Sequence, residues 1–178
     1  MRPLVLILAV IASAGLAYFI LPSRVPAPKN AMGTPGPPPP EDLPEEVTLI
    51  SLFAPVHGED LAAEKKYSKK YHGFTEIGRA TLKDRTDIKA VMDSISLSRK
   101  NSTGDLAKCF EPRHAVVYVR HGETTEYAFC FHCKSWKLFL PGKDDIPPES
   151  FGTDARDVFN KLLKREGVAL SPGAEGKE

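Results

Sequence analysis

The sequence predicts an α+β fold for residues 47–171, an antiparallel sheet of about four or five strands with two helices packed on one face. Three observations lead to this class. Short β-rich runs follow one another with turns between them, two segments place apolar residues at helical spacing, and strands do not alternate regularly with helices. A segment of about 125 residues is long enough to bury one hydrophobic core.

The strands are predicted from β-rich or alternating runs bounded by turn residues. A first strand spans 47–53, a second spans 74–82 and a last one spans 135–140. Two alternating runs flank Gly122 and predict a hairpin, because a tight turn needs a residue that tolerates a positive φ.

Both helices are predicted from apolar spacing and capping residues. Asp84 is a good N-cap for a first helix that ends between Asn101 and Gly104. Thr153 is the predicted N-cap of the second helix, and Gly167 is its predicted C′ residue. The apolar positions are Ile88, Val91, Met92 and Ile95 in the first helix, and Ala155, Val158, Phe159, Leu162 and Leu163 in the second.

Residues 1–22 are predicted to be a signal anchor or a signal peptide. The uncharged run 4–21 would span ~27 Å as a helix, close to the ~30 Å of a hydrocarbon core. A small-x-small sequence at 12–14 permits cleavage, but the apolar run continues beyond it, which favours an uncleaved anchor. Residues 23–46 are predicted to be a proline-rich, semi-rigid linker, and 172–178 a disordered tail.

The charge balance bears on the expected partner, and the number of cysteines bears on the expected chemistry. Lys and Arg total 24 against 23 Asp and Glu, so no nucleic-acid partner is expected. The chain has 3 cysteines, an odd number. In an exported protein, at least one thiol is then unpaired unless it bonds another chain or a metal.

Residues 120–124, with the sequence RHGET, reproduce the box of the histidine phosphatases and phosphoglycerate mutases. In that family the box opens the domain and a second histidine follows far downstream. Here the histidine that follows is His132, in the predicted partner strand. We therefore interpret His121 and Gly122 as a hairpin turn, and we do not expect phosphatase activity.

Cys130 and Cys133 form a C-x-x-C pair followed by Lys134, as in thioredoxin-type proteins. In that fold the first cysteine begins a helix, which lowers the pKa of its thiol. Residues 135–140 here predict a strand instead. Disulfide exchange stays open as an alternative function.

The segment 109–133, CFEPRHAVVYVRHGETTEYAFCFHC, resembles a family of small exported bacterial proteins that carry C-F-x-P-R-H, a hairpin and then C-F-x-C. The resemblance extends through YHGFTEIGRATLKD upstream and through the last helix downstream. It implies the domain boundaries given above and implies no activity. It groups four residues as one set, namely Cys109, His114, Cys130 and Cys133. Ala115 departs from the pattern, in which glycine follows the P-R-H triplet.

The register of the predicted hairpin places this set near the open end of the hairpin. His114 is expected opposite Phe129, and Cys109 beside Cys133. Strand alternation directs His114 and Cys130 to opposite faces, so a zinc site would need an interrupted ladder. Two alternatives stay open: a structural zinc held by Cys109, His114, Cys130 and Cys133, or a Cys109–Cys133 disulfide with Cys130 as a buried thiol.

The function expected from these features is that of a membrane-tethered domain outside the cytoplasm with a structural or binding role. The membrane is its expected partner, through the N-terminal helix, and an enzyme is not favoured. The alternative is a thiol–disulfide redox protein that uses Cys130 and Cys133. Exposure of these two cysteines would favour the redox protein, and their burial would favour the structural or binding role.

Overall fold

The computed structural model describes residues 42–54, 64–143 and 146–176, which form one seven-stranded sheet and two helices. The predicted signal segment and nearly all of the predicted linker lie outside these ranges. Within them, no helix has the length and apolar character needed to cross a membrane. The predicted α+β class is confirmed for the described part of the chain.

The sheet is antiparallel, with the strand order β2-β3-β1-β4-β5-β6-β7. The strands are β1 (Glu46–Phe53), β2 (Lys70–Tyr71), β3 (Phe74–Leu82), β4 (His114–Arg120), β5 (Glu123–Cys130), β6 (Ser135–Phe139) and β7 (Glu149–Ser150). The helices are α1 (Arg85–Lys100) and α2 (Ala155–Arg165).

The predicted number of strands was too low, because the described sheet has seven. The two strands that were missed are the edge strands β2 and β7, and each has only 2 residues. A strand of this length shows no alternation of apolar and polar residues, so the sequence contains no period-two signal for it. The longer strands β1, β3, β4, β5 and β6 match the five predicted runs.

The hairpin of β4 and β5 has the predicted register. Val119 pairs with Thr124, and the turn between the strands consists of His121 and Gly122. Their φ angles are 52° and 75°, so both central residues have the positive φ that a type I′ turn requires. The predicted turn at Gly122 is confirmed.

Helix α1 begins as predicted. The Asp84 side chain accepts hydrogen bonds from the backbone N–H groups of Thr86 and Asp87, at 2.8 and 3.2 Å. The C-cap residue is Asn101, inside the predicted range. All four predicted apolar positions of this helix are buried.

Helix α2 begins one residue later than predicted, so the assignment of Thr153 as its N-cap was wrong. The N-cap position is Asp154, whose side chain makes no capping hydrogen bond. Instead, the hydroxyl of Ser98 in α1 accepts a hydrogen bond from the backbone N–H of Ala155 at 2.8 Å. The cap therefore comes from the neighbouring helix, and the local sequence could not indicate it.

The end of α2 confirms the prediction for Gly167. This residue has a φ of 73°, and the backbone N–H of Val168 donates to the carbonyl of Leu163 at 2.9 Å. Such a pattern is a Schellman motif, which satisfies carbonyl groups at the end of the helix.

The two faces of the sheet bury separate apolar clusters. Alternate residues of β1 point to different clusters, with Leu49 in the larger one and Ile50 in the smaller one. Both helices contribute to the larger cluster and neither contributes to the smaller one. The two described helices therefore cover one face of the sheet, as predicted.

Candidate functional site

The two cysteine motifs meet at the open end of the β4–β5 hairpin. The segment C-F-E-P-R-H leads into β4, and C-F-H-C begins at the last residue of β5. His114 pairs with Phe129, as the register predicts, and the backbone N–H of Arg113 donates to the carbonyl of Phe129 at 3.3 Å. The antiparallel register thus brings together residues that are far apart in the sequence.

All three cysteines lie in one cluster, with Cys133 between the other two. The Sγ atom of Cys133 lies next to the Sγ atoms of both Cys109 and Cys130. The Cα–Cα distances are 6.0 Å for Cys109 and Cys133 and 5.2 Å for Cys130 and Cys133. Both distances lie within the range of about 4.4–6.8 Å found in disulfides. One sulfur forms one disulfide bond, so the two pairings are alternatives.

The three cysteines differ in their access to solvent. Cys130 and Cys133 are each 1% exposed, whereas Cys109 is exposed in the segment between α1 and β4. The backbone N–H of Cys133 donates to Cys130 Sγ at 3.2 Å. A donor at this position favours negative charge on the Cys130 sulfur. The cluster therefore has one exposed cysteine, Cys109, and two buried cysteines, Cys130 and Cys133.

His114 occupies a different environment from the cysteines. Its ring is 1% exposed and packs near Phe131 and Phe159, with centroid distances of 5.3 and 5.9 Å. Its Nε2 atom lies 2.7 Å from Asn160 Oδ1. Burial lowers the pKa of His114 to about 4, so the ring is neutral at pH 7. The neutral Nε2–H group donates to Asn160.

The zinc hypothesis joined His114 to the three cysteines. Among residues 42–54, 64–143 and 146–176, no group of three or more His, Cys, Asp or Glu side chains is arranged to hold a metal ion. His114 lies on the helix-covered face with Val116 of the same strand, and Cys130 alternates with Phe129, which also lies on that face. The structure thus brings the cysteines together and uses His114 in a hydrogen bond to α2.

A cavity of about 210 Å³ lies beside the cysteine motifs. Its side chains include Arg113 and Phe131 from the motifs, together with His132 and Arg156. Gly173, Ala174 and Gly176 form the remaining wall. Two arginines line the cavity, and both have partners within the chain, with Arg156 Nε lying 3.4 Å from Asp157 Oδ1 and Arg113 Nε lying 2.8 Å from the carbonyl oxygen of Pro172.

The sequence analysis missed this cavity because it placed residues 172–178 in a tail. In the structure, the Arg113 guanidinium donates to the carbonyl of Pro172 at 2.8 Å, and the Asn160 side chain donates to the carbonyl of Ala174 at 2.9 Å. Ala174 is 3% exposed. The sequence contains no signal for these contacts, because the burial of Arg113 is seen only in the structure.

The RHGET segment lies at the opposite end of the hairpin from the cysteines. Arg120 Nη1 is 3.3 Å from Asp42 Oδ2, and the backbone N–H of His121 donates to Glu45 at 3.0 Å. The His121 side chain is exposed at the turn. These contacts agree with the interpretation of the segment as a turn.

A second polar and aromatic cluster lies on the sheet face that the helices leave uncovered. The ring of His72 stacks on Phe139 with a centroid distance of 3.9 Å, and its Nε2 atom is 2.8 Å from Glu126 Oε2. Tyr71 lies against both rings, and burial raises the pKa of its hydroxyl. The contacts connect the turn after β2 to β5 and β6.

No protein-family model, curated protein or solved structure matches the chain.

Proposed function

We propose that the chain is a membrane-tethered domain outside the cytoplasm with a structural or binding role. The observation that supports this most directly is that Cys109 and Cys133 lie within disulfide distance, with 6.0 Å between their Cα atoms. Disulfides persist in oxidising compartments, which agrees with an export signal at the N-terminus. The apolar run 4–21 supplies the tether, and the linker 23–46 holds the domain away from the bilayer.

The binding role is assigned to the cavity beside the cysteine motifs. Its two arginines, Arg113 and Arg156, supply positive charge close to the backbone of 173–176. Each guanidinium group already has a partner within the chain, the carbonyl of Pro172 for Arg113 and the carboxylate of Asp157 for Arg156, so a bound carboxylate or other small anion would compete with these contacts. Because Cys130 and Cys133 are buried, we assign their sulfur atoms a role in stabilising the domain beside the cavity.

The tether and the location are tested together on the full-length chain. After washing of the membranes with carbonate, the chain is expected to remain in the membrane fraction. In cells whose outer membrane has been permeabilised, added protease is expected to digest the domain. Ile11→Arg places a charge within the apolar run and serves as the control, because it should release the chain or block its export.

Two results would contradict the proposal. A soluble product that begins near Gly15 would show cleavage and would remove the tether. A domain that resists external protease, but is digested once the inner membrane is dissolved, would place it in the cytoplasm.

The redox alternative has one observation in its favour. Cys130 is also within disulfide distance of Cys133, with 5.2 Å between the Cα atoms. A redox protein of this kind would reduce a protein disulfide in a turnover assay with added thiol, and Cys130→Ser would abolish the turnover. The burial of both cysteines favours the structural or binding role instead.

A further inference from the structure

We propose that the three cysteines form an exchange site, in which Cys133 changes its disulfide partner between Cys130 and Cys109. One oxidised form contains a Cys109–Cys133 disulfide and encloses the Cys130 thiol. The other contains a Cys130–Cys133 disulfide and presents the Cys109 thiol at the surface. The exposed thiol then reacts with disulfides from solution.

The position of Cys133 carries the proposal. Its Cα atom lies 6.0 Å from that of Cys109 and 5.2 Å from that of Cys130, and both distances permit a disulfide. Thiol–disulfide exchange requires that the attacking sulfur reach the disulfide directly. In either pairing, the cysteine that is not in the disulfide lies beside Cys133. No large movement is therefore needed to bring the reacting atoms together.

The exchange moves one disulfide bond between cysteines of the same chain. The Cys130 thiolate attacks the Sγ atom of Cys133, the Cys130–Cys133 bond forms, and the Cys109–Cys133 bond breaks. Cys109 leaves as a thiolate and takes a proton from water, while Cys130 has lost its proton to water. The number of disulfides is unchanged, so this step needs no oxidant or reductant.

The secondary structure indicates which cysteine can move away once its disulfide is broken. Cys130 is the last residue of β5, and Cys133 lies in the turn before β6. Cys109 lies in the stretch 101–113, where no residue belongs to a helix or a strand. A displaced Cys109 can therefore move into solvent at less cost than either of the other two cysteines.

One hydrogen bond bears on the role of Cys130 as the attacking sulfur. The backbone N–H of Cys133 points to Cys130 Sγ at 3.2 Å. This donor offsets part of the cost that burial imposes on the thiolate form of Cys130, because a hydrogen bond to a charged acceptor is stronger than one to a neutral acceptor.

Released Cys109 is the member that reacts with an external disulfide, since it alone of the three is exposed. Its thiolate attacks one sulfur of the external disulfide and forms a mixed disulfide. The other sulfur leaves as a thiolate. Oxidised glutathione is a suitable probe for this step. Such a reaction does not depend on the membrane tether, so its failure and a failure of the localisation experiment are distinguishable.

Peptide mapping of the oxidised full-length chain in detergent determines which cysteines are joined by a disulfide. Free thiols are alkylated at low pH, and the chain is cleaved with trypsin. Cys109 is then separated from Cys130 and Cys133, because Arg113 and Arg120 lie between them. The proposal expects two species, one alkylated at Cys109 and one alkylated at Cys130, which interconvert on addition of a trace of thiol. A single pairing that persists under added thiol would overturn it.

The accessible thiol is tested with oxidised glutathione. The native chain should acquire glutathione on Cys109, and Cys130→Ser should lose this labelling because Cys109 stays in its disulfide. Cys130→Ala is the second variant, and the far-UV spectrum of each variant shows whether it is folded. Equal labelling of Cys109 in the native chain and in a folded Cys130 variant would overturn the proposal.

Discussion

The Nε2 atom of His114 lies 2.7 Å from the Oδ1 atom of Asn160, and this buried hydrogen bond joins β4 to α2. The same Asn160 side chain donates to the carbonyl of Ala174 at 2.9 Å. One asparagine therefore links the central strand beside the cysteine motifs, the last helix and the C-terminal turn that lines the cavity.

The stability of the domain should fall as the pH falls from about 6.5 to about 4. Burial lowers the pKa of His114 to about 4, whereas the ordinary value of 6.5 applies to the unfolded chain. Between these values the unfolded state binds a proton that the folded state does not bind, so the contribution is fully present above about pH 6.5. At ~1.4 kcal/mol per pKa unit, the loss is about 3 kcal/mol.

Urea unfolding of the native chain and of His114→Gln, followed across this pH range, measures the contribution. The variant should be less stable at pH 7 and should have a weaker pH dependence between pH 4 and 6.5. The same pH dependence in both proteins would show that His114 is not the titrating group.

Asn160→Ala should destabilise the domain by about 2–3 kcal/mol. It leaves the buried N–H of His114 and the carbonyl of Ala174 without their side-chain partner, and an unsatisfied buried group costs ~1–3 kcal/mol. Lys161→Ala is the matched control, because Lys161 is the exposed neighbour on the same helix. Equal unfolding midpoints for the two variants would contradict the role assigned to Asn160.

Gly122→Val should cost ~1 kcal/mol or more, because a β-branched residue is strained at the φ of 75° that the turn requires. His121→Ala changes the other turn residue and should leave the fold nearly unchanged, since the His121 side chain is exposed. Thermal unfolding compares the two. Phosphohydrolase activity that disappears in His121→Ala would show that the RHGET segment is a catalytic box.

The sequence predicted those parts of the fold that depend on local patterns. Strand alternation and the turn at Gly122 set the register of the β4–β5 hairpin, and that register placed His114 opposite Phe129 and Cys109 near Cys133. The same alternation correctly separated His114 from Cys130. These predictions succeed because the side-chain period of a strand and the length of a tight turn are fixed by backbone geometry.

The parts that could not be predicted depend on contacts between distant segments. Ser98 caps α2 from another helix, and Arg113 and Asn160 hold the chain at Pro172 and Ala174. No spacing rule relates such pairs. The cavity formed by these contacts was missed for the same reason, and so was the contact of Cys133 with two partners.

Reductant should lower the melting temperature of the oxidised domain clearly, whereas a chelator should not change it. The Cys109–Cys133 bond joins residues with a sequence separation of 24, and the chain-entropy model assigns a loop of about this length ~3 kcal/mol. If the cysteines hold zinc instead, the chelator should lower the melting temperature, because metal binding contributes directly to folding.

The pairing of Cys133 is tested most directly by intact-mass spectrometry of the full-length chain, alkylated first under native and then under denaturing conditions. The account predicts a mass lower by two hydrogens than that of the reduced chain, one alkylated cysteine after denaturation, and a single unmodified pair that always includes Cys133. Three alkylated cysteines, or a zinc ion that is released only on denaturation, would contradict it.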